Sequence, residues 1–334
     1  MAVTLAQAKL NTTDAVDIQI IDEFQKSSDV MNRLTFDPCV SGAGGGSTLT
    51  YGYTRQITQR AAAFRAVNTE YTAAEATKQR YTVDLKPLGG SFEIDRILDQ
   101  IGQARETAFQ MRELLKASSA KFNDAFFNGD TAVDANGFDG ILKAVTGSAT
   151  EYLPLSNGVT AGYIDWTTIT TQAGALAAVK HVDDWLSSLD DRPDAIYLPK
   201  KAKSLFKVIA SLAGMYSLDK DTFGRPVEQY NGIPLIDPGT IAGANTDVLA
   251  LATRDTDGAG AGGNITGLAD LVAVRFGLDG VHAVQVAGAP FVRSWLPDFS
   301  TAGAVKTGEA EVSPVAVVLK KTKAAGVLRN IKVA

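Results

Sequence analysis

Residues 95–127 place the strongest constraint on the fold. Ile97, Leu98, Ile101, Ala104, Ala108, Met111, Leu115, Phe122 and Phe126 recur at three- and four-residue spacing, the period of one helix face. Asp95 stands where an N-cap carboxylate belongs, and Gly129 stands where a helix stops. No proline breaks the run, and Gly102 is the only interior glycine. At about 1.5 Å per residue such a helix is about 50 Å long, well beyond the common helix of about 11–12 residues. A helix of that length spans a whole domain or lies across a surface.

The segment just before it has a different period. Leu49, Tyr51 and Tyr53 alternate with Thr50, Gly52 and Thr54; later Thr77, Gln79, Tyr81, Val83 and Leu85 alternate with Lys78, Arg80, Thr82, Asp84 and Lys86. Alternation with β-branched and aromatic residues predicts two strands. Both faces of the second strand carry polar groups, so the ribbon is expected to project from the body. Between the strands lie Arg55, Arg60, Arg65, Glu70 and Glu75. The bland reading is a solvated hairpin. The functional reading is an arm that pairs with a neighbour, and the marginal stability of an isolated two-stranded ribbon in water sets it level with the first.

Upstream, Ile18, Ile21, Phe24 and Met31 follow a helical pattern behind Thr13 or Asp14. Gly42 to Ser47 reads as a flexible joint. Downstream, Phe126-Phe127-Asn128-Gly129-Asp130 and Asn136-Gly137-Phe138-Asp139-Gly140-Ile141-Leu142 read as tight turns anchored by their apolar residues. Residues 160–290 then read as an α/β body. A helix is predicted over Trp166–Leu189 with Asp165 as its cap, then a strand at Ala195–Leu198 and a helix over Lys200–Ala213. Gly232–Ile236 is expected to be a strand edge, because Pro234 has no N–H to donate. Val248–Leu251, Leu271–Phe276 and His282–Val286 complete a sheet, and Val292–Trp295, Val315–Leu319 and Val327–Val333 are late strands expected to return to the first body.

The chain has 334 residues, 45% hydrophobic and 21% charged, which fits two domains or one large domain with insertions. Cys39 is the only cysteine, so no internal disulfide forms. The formal net charge of −5 argues against a protein that coats nucleic acid through a basic face. No stretch reaches the roughly 18 apolar residues of a membrane span. Met1 to Asn11 lacks the long apolar run of a signal peptide.

Catalytic motifs are missing. Gly258-Ala-Gly260-Ala-Gly262-Gly263 spells a dinucleotide fingerprint, but Thr253 to Asp257 separates it from the preceding strand and no helix start follows. Gly303 to Gly308 has the span of a phosphate loop, but Glu309 stands in the lysine position. His181 and His282 are the only histidines. His181 lies near Asp183 and Asp184, a set that serves a base or a cation in some sites and a solvated helix face in most. Lys200, Lys201, Lys203 and Lys207 form the best basic patch, readable as phosphate contacts or as the wet side of a helix. No catalytic residue, cofactor or metal ligand is assigned.

The order of elements resembles that of the tailed-phage major capsid proteins, whose fold is shared with encapsulin shells and the herpesvirus capsid floor. The resemblance rests on a leading arm, a polar hairpin, a long helix, Phe126-Phe-Asn-Gly-Asp130, and Gly137-Phe-Asp-Gly-Ile-Leu142. Asp194-Ala-Ile-Tyr-Leu-Pro199, Met215-Tyr-Ser-Leu218, Phe223-Gly-Arg-Pro226 and Asn231-Gly-Ile-Pro-Leu235 continue it. It implies an α+β fold in four parts: an N-terminal arm (1–48), an extended loop (49–94), a peripheral domain with the long helix as spine (95–159 and 290–334) and an α/β axial domain (160–289). It further implies a non-enzymatic shell subunit that assembles with itself as hexamers and pentamers into an icosahedral virion capsid in the host bacterial cytoplasm. The shell would enclose double-stranded DNA, and a separate scaffolding protein and a portal would be its partners, with no membrane. Arg55, Arg60, Arg65, Glu75, Lys78 and Arg80 are then the expected intersubunit contacts. Gly44, Gly45, Gly89 and Gly90 are the expected hinges. An encapsulin-like nanocompartment shell is the alternative of the same fold. A cytosolic hydrolase using His181 and Asp183 is the alternative of another class.

Overall fold

The computed structural model describes residues 29–41, 49–101, 105–154, 162–214, 217–220, 226–241, 243–256, 264–288 and 290–334. The helix expected over residues 14–31 lies outside them except for a turn at Asp29–Arg33. The joint at Gly42 to Ser47, with hinges Gly44 and Gly45, the run Gly258 to Gly263, and parts of the quoted motifs near residues 215 and 223 also lie outside the described residues.

The strands in chain order are β1 (Phe36–Ser41), β2 (Thr50–Gln56), β3 (Lys78–Asp84), β4 (Lys86–Asp95), β5 (Glu151–Tyr152), β6 (Ile164–Asp165), β7 (Ala195–Tyr197), β8 (Ser217–Lys220), β9 (Pro226–Tyr230) and β10 (Ile233–Ile236). They continue as β11 (Ala252–Asp255), β12 (Asn264–Val274), β13 (Val281–Ala287), β14 (Val292–Trp295), β15 (Val305–Leu319) and β16 (Ala325–Lys332). Among the described residues they form three sheets. β2 and β3 make the ribbon; β1, β13, β15, β14 and β4 make a five-stranded sheet; nine strands, with β16, β12, β7 and β10 at the centre, make the third.

The large sheet is buried on both sides. Tyr197, Val272, Val274 and Val327 point to a core shared with Phe122, Phe126 and Phe127 of the long helix. Their alternates Ile196, Leu198, Leu271, Ala273 and Leu328 point to a second core, under the helices Gln172–Ser187 and Lys200–Leu212. Coverage on both faces is why these strands read as unbroken apolar runs. It also decides where residues 290–334 go. β14 and β15 pair in the five-stranded sheet, whereas β16, apolar on both faces, pairs with β12 in the large sheet. The late segment is thus divided between the two bodies and does not return whole to the first.

The long helical period is helical on both sides of residues 102–104, which lie outside the described residues. β4 continues through Asp95, a first helix covers Arg96–Ile101, and the main helix runs Arg105–Asn128. Twenty-four residues correspond to about 36 Å. Asp95 still caps, accepting from the Ile97 N–H at 2.8 Å. The predicted apolar face is buried only in its second half. Phe122 and Phe126 are in the core, while Ile97, Ile101 and Leu115 are exposed.

The turn after this helix explains its motif. The Gly129 N–H donates to the Ala125 carbonyl at 3.0 Å, and the Gly140 N–H donates to the Gly129 carbonyl at 2.8 Å. A Cβ on Gly140 would stand 2.7 Å from the carbonyls of Ala125 and Phe127, and one on Gly129 would overlap the Phe138 carbonyl. Two backbone segments cross here, and only glycine lets them. Phe138 and Ile141 are buried on either side.

Two expectations for the α/β body are corrected. The helix predicted from Trp166 begins at Gln172, with Thr171 as its cap. The Asp165 carboxylate instead accepts from the Thr167 N–H, and the Trp166 N–H donates to the Lys332 carbonyl, which ties residues 164–166 to β16. β10 is not an edge. It pairs with β7 through Leu235 and Ile236 and with β9 through Ile233 and Pro234. Pro234 is tolerated because it precedes the stretch that pairs with β7.

Candidate assembly surface

The ribbon has two unlike faces. Register pairs Tyr53 with Tyr81, Tyr51 with Val83 and Arg55 with Gln79, so these residues share one side. Tyr53 stacks on Tyr81 at 5.7 Å and on Tyr51 at 6.1 Å, and the Arg55 guanidinium lies 4.5 Å from the Tyr81 ring centre. This face is docked on the end of β15. The Tyr53 hydroxyl donates to the Leu319 carbonyl at 3.1 Å. Arg55 donates to the carbonyls of Leu319 (2.7 Å) and Lys320 (2.9 Å) and to the Thr322 hydroxyl (3.1 Å). Burial pushes the Tyr53 phenol up. The ribbon therefore does not project along its whole length. Its aromatic side gives it a seat on its own chain, and Arg55, expected to contact a neighbour, closes that seat.

Beyond Gln56 and Lys78 the chain leaves the body. Residues 59–77 form no strand, and their limbs are held at the base by the Ile57 N–H donating to the Thr77 carbonyl and by the Thr58–Thr77 hydroxyl pair at 2.7 Å. Phe64, Val67 and Tyr71 are exposed, Phe64 completely. Arg60 is exposed beside Ala61 to Ala63. Arg65 donates to the carbonyls of Ala66 and Thr69 and sits 5.3 Å from the Tyr71 ring centre. Glu75 and Lys78 are exposed on the return limb, Lys78 opposite Gln56. The Arg80 guanidinium lies over Gly52, whose Cβ would stand 3.0 Å from it.

Gly89 and Gly90, expected as hinges, lie in a paired strand. Both lie inside β4, opposite Glu311 and Ala310 of β15. A Cβ on Gly89 would overlap the Ala310 carbonyl, and one on Gly90 would stand 2.7 Å from Leu114 of the long helix. Close approach of strand and helix accounts for glycine at both positions.

The remaining candidates are not brought into a catalytic arrangement. His181 Nδ1 meets the Tyr152 hydroxyl at 2.8 Å, while the Asp183 carboxylate accepts from the Tyr230 hydroxyl at 2.6 Å. Burial and the Asp183 bond push the Tyr230 phenol up. Base and carboxylate thus serve different phenols. The lysine patch is largely neutralised: Lys203 and Lys207 flank Glu228 at 3.4 and 3.1 Å, and Lys200 approaches Asp237 at 3.7 Å. His282 is fully buried in β13, 6.2 Å from Tyr51, and neither ring nitrogen has a hydrogen-bond partner among the described residues. Burial, helped by Lys320, lowers its pKa to about 4. Among the described residues no three His, Cys, Asp or Glu side chains converge as metal ligands, and no helix is long and apolar enough to cross a membrane.

One constellation was not read from the sequence. Asp270 of β12, buried, accepts twice from Arg254 of β11 at 2.6 Å and once from Arg329 of β16 at 3.2 Å. Arg329 also pairs with Glu151 and donates to the Leu142 carbonyl and the Thr146 hydroxyl. Two cations and two carboxylates bind the sheet to the turn after the long helix. Their sequence separation leaves no local pattern. Lys143, meeting Asp130 at 2.6 Å and Asp139 at 2.8 Å, closes the same turn.

No family model and no curated protein matches the sequence. Solved structures do match, over nearly the whole chain. The capsid of Myoviridae phage XM1 is similar with a TM-score of 0.58 at 11% identity, over 98% of this chain and 99% of that one. The capsid of the native GTA particle gives 0.54 at 15%, over 96% and 99%. The holo-SrpI encapsulin of Synechococcus elongatus gives 0.54 at 14%, over 100% and 98%. The chain has the α+β fold of the tailed-phage major capsid proteins, shared with encapsulin, as its motif order implied.

Proposed function

We propose that the chain is a shell subunit, the major capsid protein of a tailed phage, which self-assembles as hexamers and pentamers around double-stranded DNA. The observation that carries this reading is the loop of residues 57–77. Phe64, Val67 and Tyr71 are exposed on a segment without strand or helix of its own. An exposed apolar cluster of this kind marks a surface that another molecule covers. Residues 1–48 would act as an arm, 49–94 as the loop reaching a neighbouring copy, 95–159 with 290–319 as the peripheral domain, and 160–289, with β16 added to its sheet, as the axial domain. A separate scaffolding protein and a portal fit as partners, assembly would take place in the host cytoplasm, and the subunit would perform no catalysis. The net charge of −5 suits a container whose wall does not grip what is packed inside.

Negative-stain microscopy of the purified protein tests the reading. Closed shells are expected, and a small monodisperse species under all assembly conditions would overturn it. An encapsulin-like nanocompartment is the second reading, favoured by the likeness to the encapsulin over 100% of this chain. Nuclease-protected DNA inside particles from the native source supports the phage reading; enclosed protein without DNA supports the other.

A further inference from the structure

We infer that His282 is a proton-operated release for the ribbon: a proton on its imidazole lifts β2 and β3 from their seat on the five-stranded sheet. This release belongs to one subunit and does not depend on the shell reading. His282 lies on the interior strand β13, opposite Val318 of β15. It is fully buried, and neither ring nitrogen has a hydrogen-bond partner among the described residues. Protonation makes both ring nitrogens donors, and no acceptor among the described residues is bonded to either. The cover over this imidazole is the ribbon. The Tyr51 ring of β2 meets it edge to face, with centres 6.2 Å apart. The same Tyr51 ring has the Lys320 ammonium 5.7 Å from its centre. Tyr51 from β2, Lys320 from the end of β15 and Asp37 from β1 are the titratable groups that face His282 among the described residues.

A proton on His282 therefore sets a second cation beside a ring that already has one, in a buried site. A buried charge without a bonded partner is costly, and the fold yields where it is held least. Two walls of the site are β1 and β15, both laddered to β13. The ribbon is a separate two-stranded sheet, and the hydroxyl of Tyr53 and the guanidinium of Arg55 hold it to Leu319, Lys320 and Thr322. Once lifted, a two-stranded ribbon is marginal in water, so its own ladder opens with the seat. Burial, and second Lys320, lower the His282 pKa from 6.5 to about 4 while the ribbon is docked, and release returns it toward 6.5. The docked state is fully favoured above pH 6.5 and loses ground as pH falls from there toward 4. Between pH 7 and pH 5 this difference multiplies the released population about twentyfold.

Hydrogen exchange of the full chain tests this, read by mass spectrometry at about pH 7 and about pH 5 and corrected for the intrinsic pH dependence of amide exchange. Protection of β2 and β3 is expected to fall about twentyfold relative to that of β12. Unchanged protection in the ribbon overturns the release. His282→Phe keeps an aromatic ring under Tyr51 that takes no proton, and it should abolish the fall. A fall of the same size in that variant would assign the release to carboxylates and overturn the role of His282. Lys320→Met removes the neighbouring cation and should shrink the fall without abolishing it. If His282→Phe does not melt cooperatively, Lys320→Met decides, and an undiminished fall overturns the release as a crowding of two cations.

Discussion

Around Asp270 two arginines enter the protein interior and are met by carboxylates; on the extended loop Arg60 and Arg65 stay in water and meet no carboxylate among the described residues. In the first region the sheet is covered on both faces and every charge is answered within the subunit. In the second, large apolar groups stand exposed beside cations without an ion-pair partner among the described residues. The contrast teaches where this chain spends its interactions. On the proposed shell reading, the body holds together by its own contacts and the loop is completed by a neighbour.

If that division is right, subunit stability and assembly respond to different residues. The largest loss of subunit stability is expected from Asp270→Ala, which takes the only carboxylate from the partly exposed Arg254 and leaves Arg329 with Glu151 alone, a change of at most about 3–5 kcal/mol. Denaturant unfolding of the assembly-incompetent subunit measures it, and a loss under 1 kcal/mol would show the network to be ornamental. Next comes a pH effect at His282. Its pKa is lowered from 6.5 to about 4, so between those values the unfolded chain binds a proton that the folded one excludes. Stability is then lost as pH falls from 6.5 toward 4, by about 3 kcal/mol at most, and His282→Phe should flatten that slope in pH-dependent melting.

Arg55→Ala sharpens the comparison at its boundary. Removing three hydrogen bonds to β15 and Thr322 should cost about 1–3 kcal/mol, with hydrogen exchange rising in β2 and β3 and not in β12. The smallest stability effect is expected at the tip, where Phe64→Ser should shift unfolding by less than about 0.5 kcal/mol. Deletion of residues 58–76 should likewise leave the subunit folded yet abolish closed shells in microscopy. Normal shells from that deletion would break the division between body and loop.

Much of the scaffold was legible in the sequence. The ribbon strands, the main helix and the helix from Lys200 follow from period alone, and the glycines of the turn at 129–140 mark where backbones cross. The differences have a common cause. Asp165 has the chemistry of a cap but is held by Thr167 and by the attachment of its neighbour to β16. Gly89 and Gly90 look like hinges and are small where a strand and a helix approach them. Arg55 looks like an exposed cation until the end of β15 is placed beneath it.

The sequence by itself determined which residues share a face, because side-chain direction along a helix or strand is fixed by backbone geometry. It predicted a projecting polar ribbon, which the structure confines to the loop beyond Gln56 and Lys78. Only the tertiary structure decided which faces are covered and which charges are answered. Apolar attraction is non-directional, so a pattern names a face without naming its partner. Glu151, Arg254, Asp270 and Arg329 become one site only when strands distant in sequence lie side by side.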